Sequence, residues 1–208
     1  MNSTETSLST VIRERRSVRK YDPNFKISRE ELLDILKEAA LAPSSSNLQP
    51  WKFIVIQDET VKKELRAIAN NQEQVETASA VIAVLGDREM YRNSEQVYRS
   101  SFEAGYMDEA TMGIMIENSN KLYPSVPVDM RENIASFDAG LVSMQLMLIA
   151  KARGYDTVPM GGFNRQQFIE KFNIEDRYMP SLLIALGKAA APGHKTTRLP
   201  IEEIVEFI

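Results

Sequence analysis

Residues 134–152 read IASFDAGLVSMQLMLIAKA, and the fold turns on this stretch. Its apolar side chains fall nearly all round a helical circumference, not along one stripe. That predicts a long helix from Ile134 to Ala152, buried in the core or at a subunit interface. Gly154 comes next as its natural C-cap. Outward from this helix, apolar runs with strand character occur at KFIVIQD (52–58), headed by Trp51, at AVIAVL (80–85), closed by Gly86-Asp87, and at Ser181 to Leu186, ended by Gly187. Ser28 with Glu31 forms a capping box, opening a helix through Leu32, Leu33, Ile35, Leu36, Ala39 and Ala40 that Pro43 stops. Asp58 caps a second helix, Glu59 to Ala69, ended by Asn70-Asn71; shorter helices are expected at Thr10 to Arg15 and Arg165 to Phe172. Helices flanking a few strands, with no repeat and no linker, predict an α+β fold with one sheet and one domain over residues 1–208.

The middle of the chain, Arg88 to Asn133, is polar and rich in Met and Tyr. Met107, Met112 and Met115 show helical spacing within Tyr98 to Asn118, and Pro124 and Pro127 are expected to break that helix. These methionines read as core filler or as the lining of an apolar pocket. VPMGGF (158–163) reads as a loop, and the tail ends in IEEIVEFI.

Composition narrows the function. A net charge of -4 supplies no face-wide excess of cations and argues against a nucleic-acid partner. The chain has no cysteine, which removes disulfides, zinc-thiolate sites and cysteine nucleophiles; its one histidine, His194, disfavours Ser-His-Asp catalysis and histidine-rich metal sites. His194 sits among Gly193, Lys195 and Arg198 in a polar tail and reads as an exposed bystander. The opening MNSTETSLST lacks the basic and apolar regions of a signal peptide. No uninterrupted apolar run reaches the roughly 20 residues of a membrane span. A soluble cytoplasmic protein without a membrane or metal partner is the expectation.

Three segments have the chemistry of a ligand site. RRSVRKY (15–21) gathers Arg15, Arg16, Arg19 and Lys20 around Ser17 on an otherwise acidic chain. Planar guanidinium forks and a hydroxyl suit a phosphate, although a solvated helix end has the same composition. Ser44 to Gln49 offers hydroxyl and amide groups, or simply a turn. Pro159 to Phe163 places Gly161-Gly162 where main-chain N–H groups could approach a flat ligand, or forms a tight connection. No Walker A loop and no Gly-x-Gly-x-x-Gly fingerprint occurs. Trp51 reads as a packing residue, and Glu202, Glu203 and Glu206 as a solvated face.

Taken in order, RRSVRKY (15–21), APSSSNLQPWKFIVI (42–56), GYDTVPMGGF (154–163) and TRLPIEEIV (197–205) resemble the nitroreductase family of flavin enzymes. The resemblance implies a mostly antiparallel central sheet flanked by helices, in an intertwined homodimer with two FMN sites at the subunit interface. It implies that the 134–152 helix is dimer core and that the tail wraps onto the partner. Arg15, Arg16, Ser17 and Arg19 would bind FMN, joined on the phosphate by Arg198. Pro43, Ser44, Ser45, Asn47 and Gln49 would reach in from the other subunit. Asn71, or its neighbour Gln72, would lie near the pyrimidine edge. Pro159, Met160, Gly161 and Gly162 would lie against the isoalloxazine, with a Gly161 or Gly162 N–H near N5.

The implied activity is ping-pong: hydride passes from NADH or NADPH to N5, then to a nitroaromatic, a quinone or a similar small-molecule acceptor. The flavin carries the chemistry and no catalytic side chain is required. Gly161 stands where many relatives have an acidic residue, and Thr196 where many have a lysine; either Lys195, one residue earlier, takes that role or the phosphate site lacks it. Other flavin reactions on this fold (ene reduction, dehalogenation, flavin reduction, flavin cleavage), a non-catalytic FMN binder and a cofactor-free interaction dimer are the alternatives.

Overall fold

A computed structural model describes residues 7–208; the polar start at residues 1–6 lies outside the described residues. The chain runs through α1 (Leu8–Glu14), α2 (Arg29–Ala39), β1 (Trp51–Ile56), α3 (Glu59–Ile68), α4 (Glu73–Thr77), β2 (Ala80–Asp87), α5 (Ser94–Glu103), α6 (Glu109–Ser125), α7 (Val128–Ala152), β3 (Asp156–Met160), α8 (Arg165–Phe172) and β4 (Tyr178–Gly187). The four strands form one sheet in the order β1-β2-β4-β3, and every neighbouring pair is antiparallel.

β2 explains why the sheet forms. Every one of its residues is buried, because the two-residue period of a strand sends alternate side chains to opposite faces and both faces are covered. Val81, Ala83 and Leu85 pack with Leu65 of α3, Phe168 of α8 and Leu183 and Ala185 of β4. Ala80, Ile82 and Val84 pack with Leu32 and Ile35 of α2 and Ala139, Val142 and Leu146 of α7. A third cluster, Leu48, Met90, Tyr98, Met112, Tyr123 and Ala135, joins α5 and α6 to the start of β1.

The caps act where expected. Ser28 accepts from the Glu31 N–H at 3.1 Å and Asp58 from the Val61 N–H at 2.9 Å. Gly154 ends α7 at φ +76°, its N–H donating to Lys151 O and the Tyr155 N–H to Ala150 O. This paired closure uses the left-handed conformation that glycine adopts without penalty.

Three expectations need correction. VPMGGF is not all loop: Pro159 and Met160 close β3, and only Gly161 onward leaves the sheet. β3 is an edge strand, where the N–H that proline lacks is not required by a further neighbour. Pro124 does not break the helix ahead of it but sits in the last turn of α6, and the chain turns at Val126-Pro127. α7 therefore starts at Val128, six residues before Ile134, and is long and apolar enough by length and composition to cross a membrane. Its buried residues pack on the sheet and the serine loop.

That loop, residues 44–49, is tightly tied. The Asp138 carboxylate of α7, wholly buried, accepts the Ser45 N–H at 2.9 Å and the Ser45 Oγ–H at 3.3 Å. Ser46 Oγ and the Tyr123 hydroxyl lie 2.9 Å apart, and the Tyr98 hydroxyl donates to Ser46 O at 2.7 Å. Ser44 Oγ accepts the Gln49 N–H at 3.0 Å. These bonds hold Ser46, Asn47 and Gln49 at φ values of +52°, +53° and +50°. Such conformations cost about 1–3 kcal/mol each and persist only where the surroundings dictate them.

Burial raises the Asp138 carboxyl above the ordinary carboxylate range, while the two bonds from Ser45 pull it back. A raised value means that the native state holds the proton more tightly than the unfolded chain. The resulting stabilisation is complete below the unfolded pKa of about 3.9 and is lost as pH rises through the folded value. Wild type should therefore lose stability relative to Asp138→Asn as pH rises from about 4 towards neutrality. Urea unfolding of both proteins across that range checks this, and a difference that grows the other way refutes it. Asp138→Ala, which strips Ser45 of its acceptor, should cost about 1–3 kcal/mol.

Candidate functional site

The arginine segment is fixed by its main chain. Ser17 bridges in parallel to Thr157 of β3, and the Val18 N–H donates to Thr157 O at 3.1 Å. On its other side lies the chain leaving β4. Tyr21 bridges antiparallel to Ala189, the Asp22 N–H donates to Lys188 O at 2.9 Å, and the Ala190 N–H to Lys20 O at 2.8 Å. Val18 and Tyr21 are buried, and the Tyr21 hydroxyl donates to Ala185 O at 3.1 Å. Desolvation there, with Asp156 nearby, raises the phenol far above its ordinary range and keeps it a neutral donor.

Farther along, Gly193 lies so close that a Cβ on it would stand 2.6 Å from Arg16 Cβ and 3.1 Å from Ser17 O. The antiparallel course thus carries residues 194–198 back past Arg15. Arg15, Arg16, Ser17, Arg19, His194, Thr196 and Arg198 line one cavity of about 180 Å³. Arg15, Arg16, Ser17, Arg19 and Arg198 were all expected there. Among the described residues, none of the four arginines is ion-paired to a carboxylate. Arg16 donates to Arg13 O and Arg15 O at 2.6 and 2.8 Å, binding carbonyls at the end of α1, a position that favours a cation. Arg198 donates to Thr196 Oγ1 and Thr197 O at 2.8 and 2.7 Å, and Arg19 only weakly, at 3.4 Å, to Ser17 O. Thr196 is on the cavity wall, whereas Lys195 is not among its lining residues.

β3 leads directly from this segment to Gly161-Gly162. Asn70 Nδ2 and Gln72 Nε2 each donate to Gly162 O at 3.0 Å. The polar corner after α3 therefore meets the glycine turn, with Asn71 exposed between them at φ +56°. Both glycines are exposed, a Cβ on Gly161 would meet nothing within 4 Å, and neither has a positive φ. Neither packing nor backbone conformation demands glycine at 161, so an open face beside the turn is what it preserves. Met160 differs from expectation: its side chain is buried, and its Sδ lies 3.4 Å from Gln74 Nε2. Only its main chain is available to a ligand.

The serine loop does not join this group within one chain. It precedes β1, at the opposite edge of the sheet from β3. Three strand spacings, roughly 14 Å, separate those edges. Asn47 and Gln49 instead line a second cavity of about 500 Å³ with Trp51, Asn93, Gln96, Val97, Ser100, Ser101 and Tyr106. Pro43 is exposed, and Ser44 and Ser45 are half-buried.

Two residues escaped sequence reasoning. His194 is exposed as expected, yet it lines the arginine cavity; only its nearness to Arg198 hinted at this. Asp138 is a lone carboxylate within an apolar stretch of α7, a pattern that signals a buried hydrogen-bond partner.

A family model described as "Nitroreductase family" matches residues 12–188. YdgI of Bacillus subtilis (strain 168), named as a candidate NAD(P)H nitroreductase, is 43% identical over 199 residues, covering 95% of each chain. The CLA biosynthesis enone reductase of Lactiplantibacillus plantarum is 33% identical over 210 residues, covering 100% of this chain and 97% of the relative. A crystal structure of a candidate nitroreductase in complex with FMN, from Exiguobacterium sibiricum 255-15, superposes with a TM-score of 0.95 at 44% identity and covers all of both chains. The chain belongs to the nitroreductase family.

Proposed function

We propose that this chain is an FMN-dependent NAD(P)H oxidoreductase that acts as a cytoplasmic homodimer and reduces nitroaromatics, quinones or similar small molecules. The observation that carries this reading is the cavity of about 180 Å³ lined by Arg15, Arg16, Arg19 and Arg198, with no carboxylate pairing those arginines among the described residues. Guanidinium groups in that setting suit a phosphate dianion. The open glycine turn at the far end of β3 fits a flat ring. The FMN complex of the Exiguobacterium sibiricum protein and the nitroreductase name of YdgI support the same assignment.

Bound FMN would supply the ring that accepts hydride and gives it up. The chain's own groups would bind and orient it. Arg15, Arg19 and Arg198 would hold the phosphate with Ser17, while Arg16 braces the segment through the α1 carbonyls. The Gly161 or Gly162 N–H would donate a hydrogen bond toward the ring, a fixed dipole of the kind that stabilises developing charge. Asn71 and Gln72 would meet the polar edge. Ser44, Ser45, Asn47 and Gln49, held to α7 by Asp138, would come from the second copy, because one chain keeps them at the other sheet edge.

Apolar residues exposed in the single chain support a second copy. Phe137 and Met144 of α7 are 67% and 40% exposed, and Leu199, Ile201, Ile204 and Phe207 of the tail are also bare. Exposed apolar surface of this extent marks an interaction site. Enone reduction is a second reaction to weigh, because the Lactiplantibacillus plantarum relative carries that name.

The protein should purify yellow, with absorbance near roughly 450 nm. Under anaerobic conditions NADH or NADPH should bleach it, and a nitroaromatic, quinone or enone should restore the colour. A flavin that stays oxidised with both donors would leave only a binder. Arg19→Ala should weaken FMN roughly 10- to 100-fold, as loss of a charge-assisted bond does, with the dimer retained in light scattering. Full flavin occupancy in that variant at limiting FMN counts against the assignment.

A further inference from the structure

We propose that His194 is a ligand of the FMN phosphate, added to the arginine set by the course of the tail; the proposal rests on the FMN reading above. Three observations carry it. His194 lines the same cavity of about 180 Å³ as Arg15, Arg16, Ser17, Arg19 and Arg198. Its position is set by its neighbour: Gly193 is pressed so close to Arg16 and Ser17 that no other residue fits without main-chain movement. One residue beyond that contact, the main chain sets His194 at the cavity wall. Finally, among the described residues the ring has no hydrogen-bond partner in the protein, so its N–H is free to donate.

The cavity has a use for such a donor. Arg16 commits N–H groups to the Arg13 and Arg15 carbonyls, and Arg198 to Thr196 Oγ1 and Thr197 O. A phosphate monoester presents three terminal oxygens that each accept more than one hydrogen bond. With two guanidinium forks partly occupied, an imidazole N–H on the tail side supplies a further donor to the same cavity. The ring donates in its neutral form as well as its charged one. The site would thus be closed from two directions, by the 15–19 segment on the sheet side and by residues 194–198 on the tail side.

A ligand of the phosphate and a residue that merely shapes the tail differ in one measurable respect. Riboflavin shares the ring and ribityl chain of FMN and lacks the phosphate. The apoprotein is titrated with each flavin, following flavin fluorescence, for wild type, His194→Ala and His194→Gln. His194→Ala should weaken FMN about three- to tenfold, a hydrogen bond to a charged group discounted for its exposure, and leave riboflavin unchanged. His194→Gln, whose amide also donates, should recover part of the loss. Equal weakening toward both flavins, or an FMN affinity of His194→Ala matching wild type, overturns the proposal while leaving the cofactor assignment intact. A wild-type apoprotein that binds no FMN overturns the assignment itself, and the wild-type titration alone reveals that outcome.

Discussion

The cationic cavity depends on main-chain pairing at the β3 edge of the sheet. Four arginines repel one another, by up to about 1 kcal/mol per close pair in water. What holds them together is not their side chains. Val18 N–H to Thr157 O and Ala190 N–H to Lys20 O stitch the segment between β3 and the chain leaving β4. Val18 and Tyr21, 2% and 3% exposed, bury their side chains beneath it, each worth about 1.5–3 kcal/mol. That anchoring is of the same order as the repulsion, and the two main-chain hydrogen bonds add to it. The folded chain can therefore present a preformed cationic cluster, and an anion arriving there relieves repulsion instead of organising the site. Close approach completes the arrangement: at Gly187 a Cβ would stand 3.0 Å from Tyr21 Cδ1 and 3.1 Å from the Ser79 nitrogen. Two glycines, one on each side of Ala189–Pro192, let the tail lie flat on the segment.

The same logic governs the serine loop. Ser45 is fixed from below by a buried carboxylate, and Ser46 by two tyrosine hydroxyls. The left-handed residues that result are strained only in isolation; the bonds beneath them make that conformation the satisfied one. A loop so fully tied has lost its conformational entropy during folding, before any ligand arrives, which favours tighter binding. Under the proposed reading, this preformed edge and the preformed arginine cavity belong to different copies, and dimerisation is what brings them together.

Much of this was legible in the sequence because it rests on local chemistry. Ser28 and Asp58 cap α2 and α3, and Gly154 closes α7, since each needs only its near neighbours. β2 and β4 declare themselves by buried apolar runs. The arginines, the serines and the glycine turn could be named from their types and order. The features that escaped reading depend on tertiary position. β3 contains a proline that only an edge strand tolerates, and edge position is not a local property. Pro124 is accommodated in the last turn of α6, so its effect falls after it. Asp138 and His194 acquire meaning from partners 93 residues away in one case and from a cavity wall in the other.

Under the proposed reading the bound ring carries the chemistry and the chain's own groups position it. The chain's one histidine lies at the tail-side wall and the chain has no cysteine. The fold is devoted to holding groups still: main-chain pairing for the arginines, a buried carboxylate for the serines, and amide donors from Asn70 and Gln72 for the glycine turn. A protein that delegates electron transfer to a bound ring needs that division, because the ring supplies reactivity and the fold supplies orientation and fixed dipoles. Under the proposed reading, acceptor choice falls to whatever borders the ring beside the groups that hold it. The cavity of about 500 Å³ formed by α5 with Asn47, Gln49 and Trp51 borders the serine loop and is lined by Asn, Gln, Ser, Trp, Tyr and Val side chains. On that reading, substitutions on its α5 wall, at Gln96, Val97 or Ser100, should change which molecules are reduced while leaving the cofactor held, since neither the arginines nor the serine loop supplies that wall.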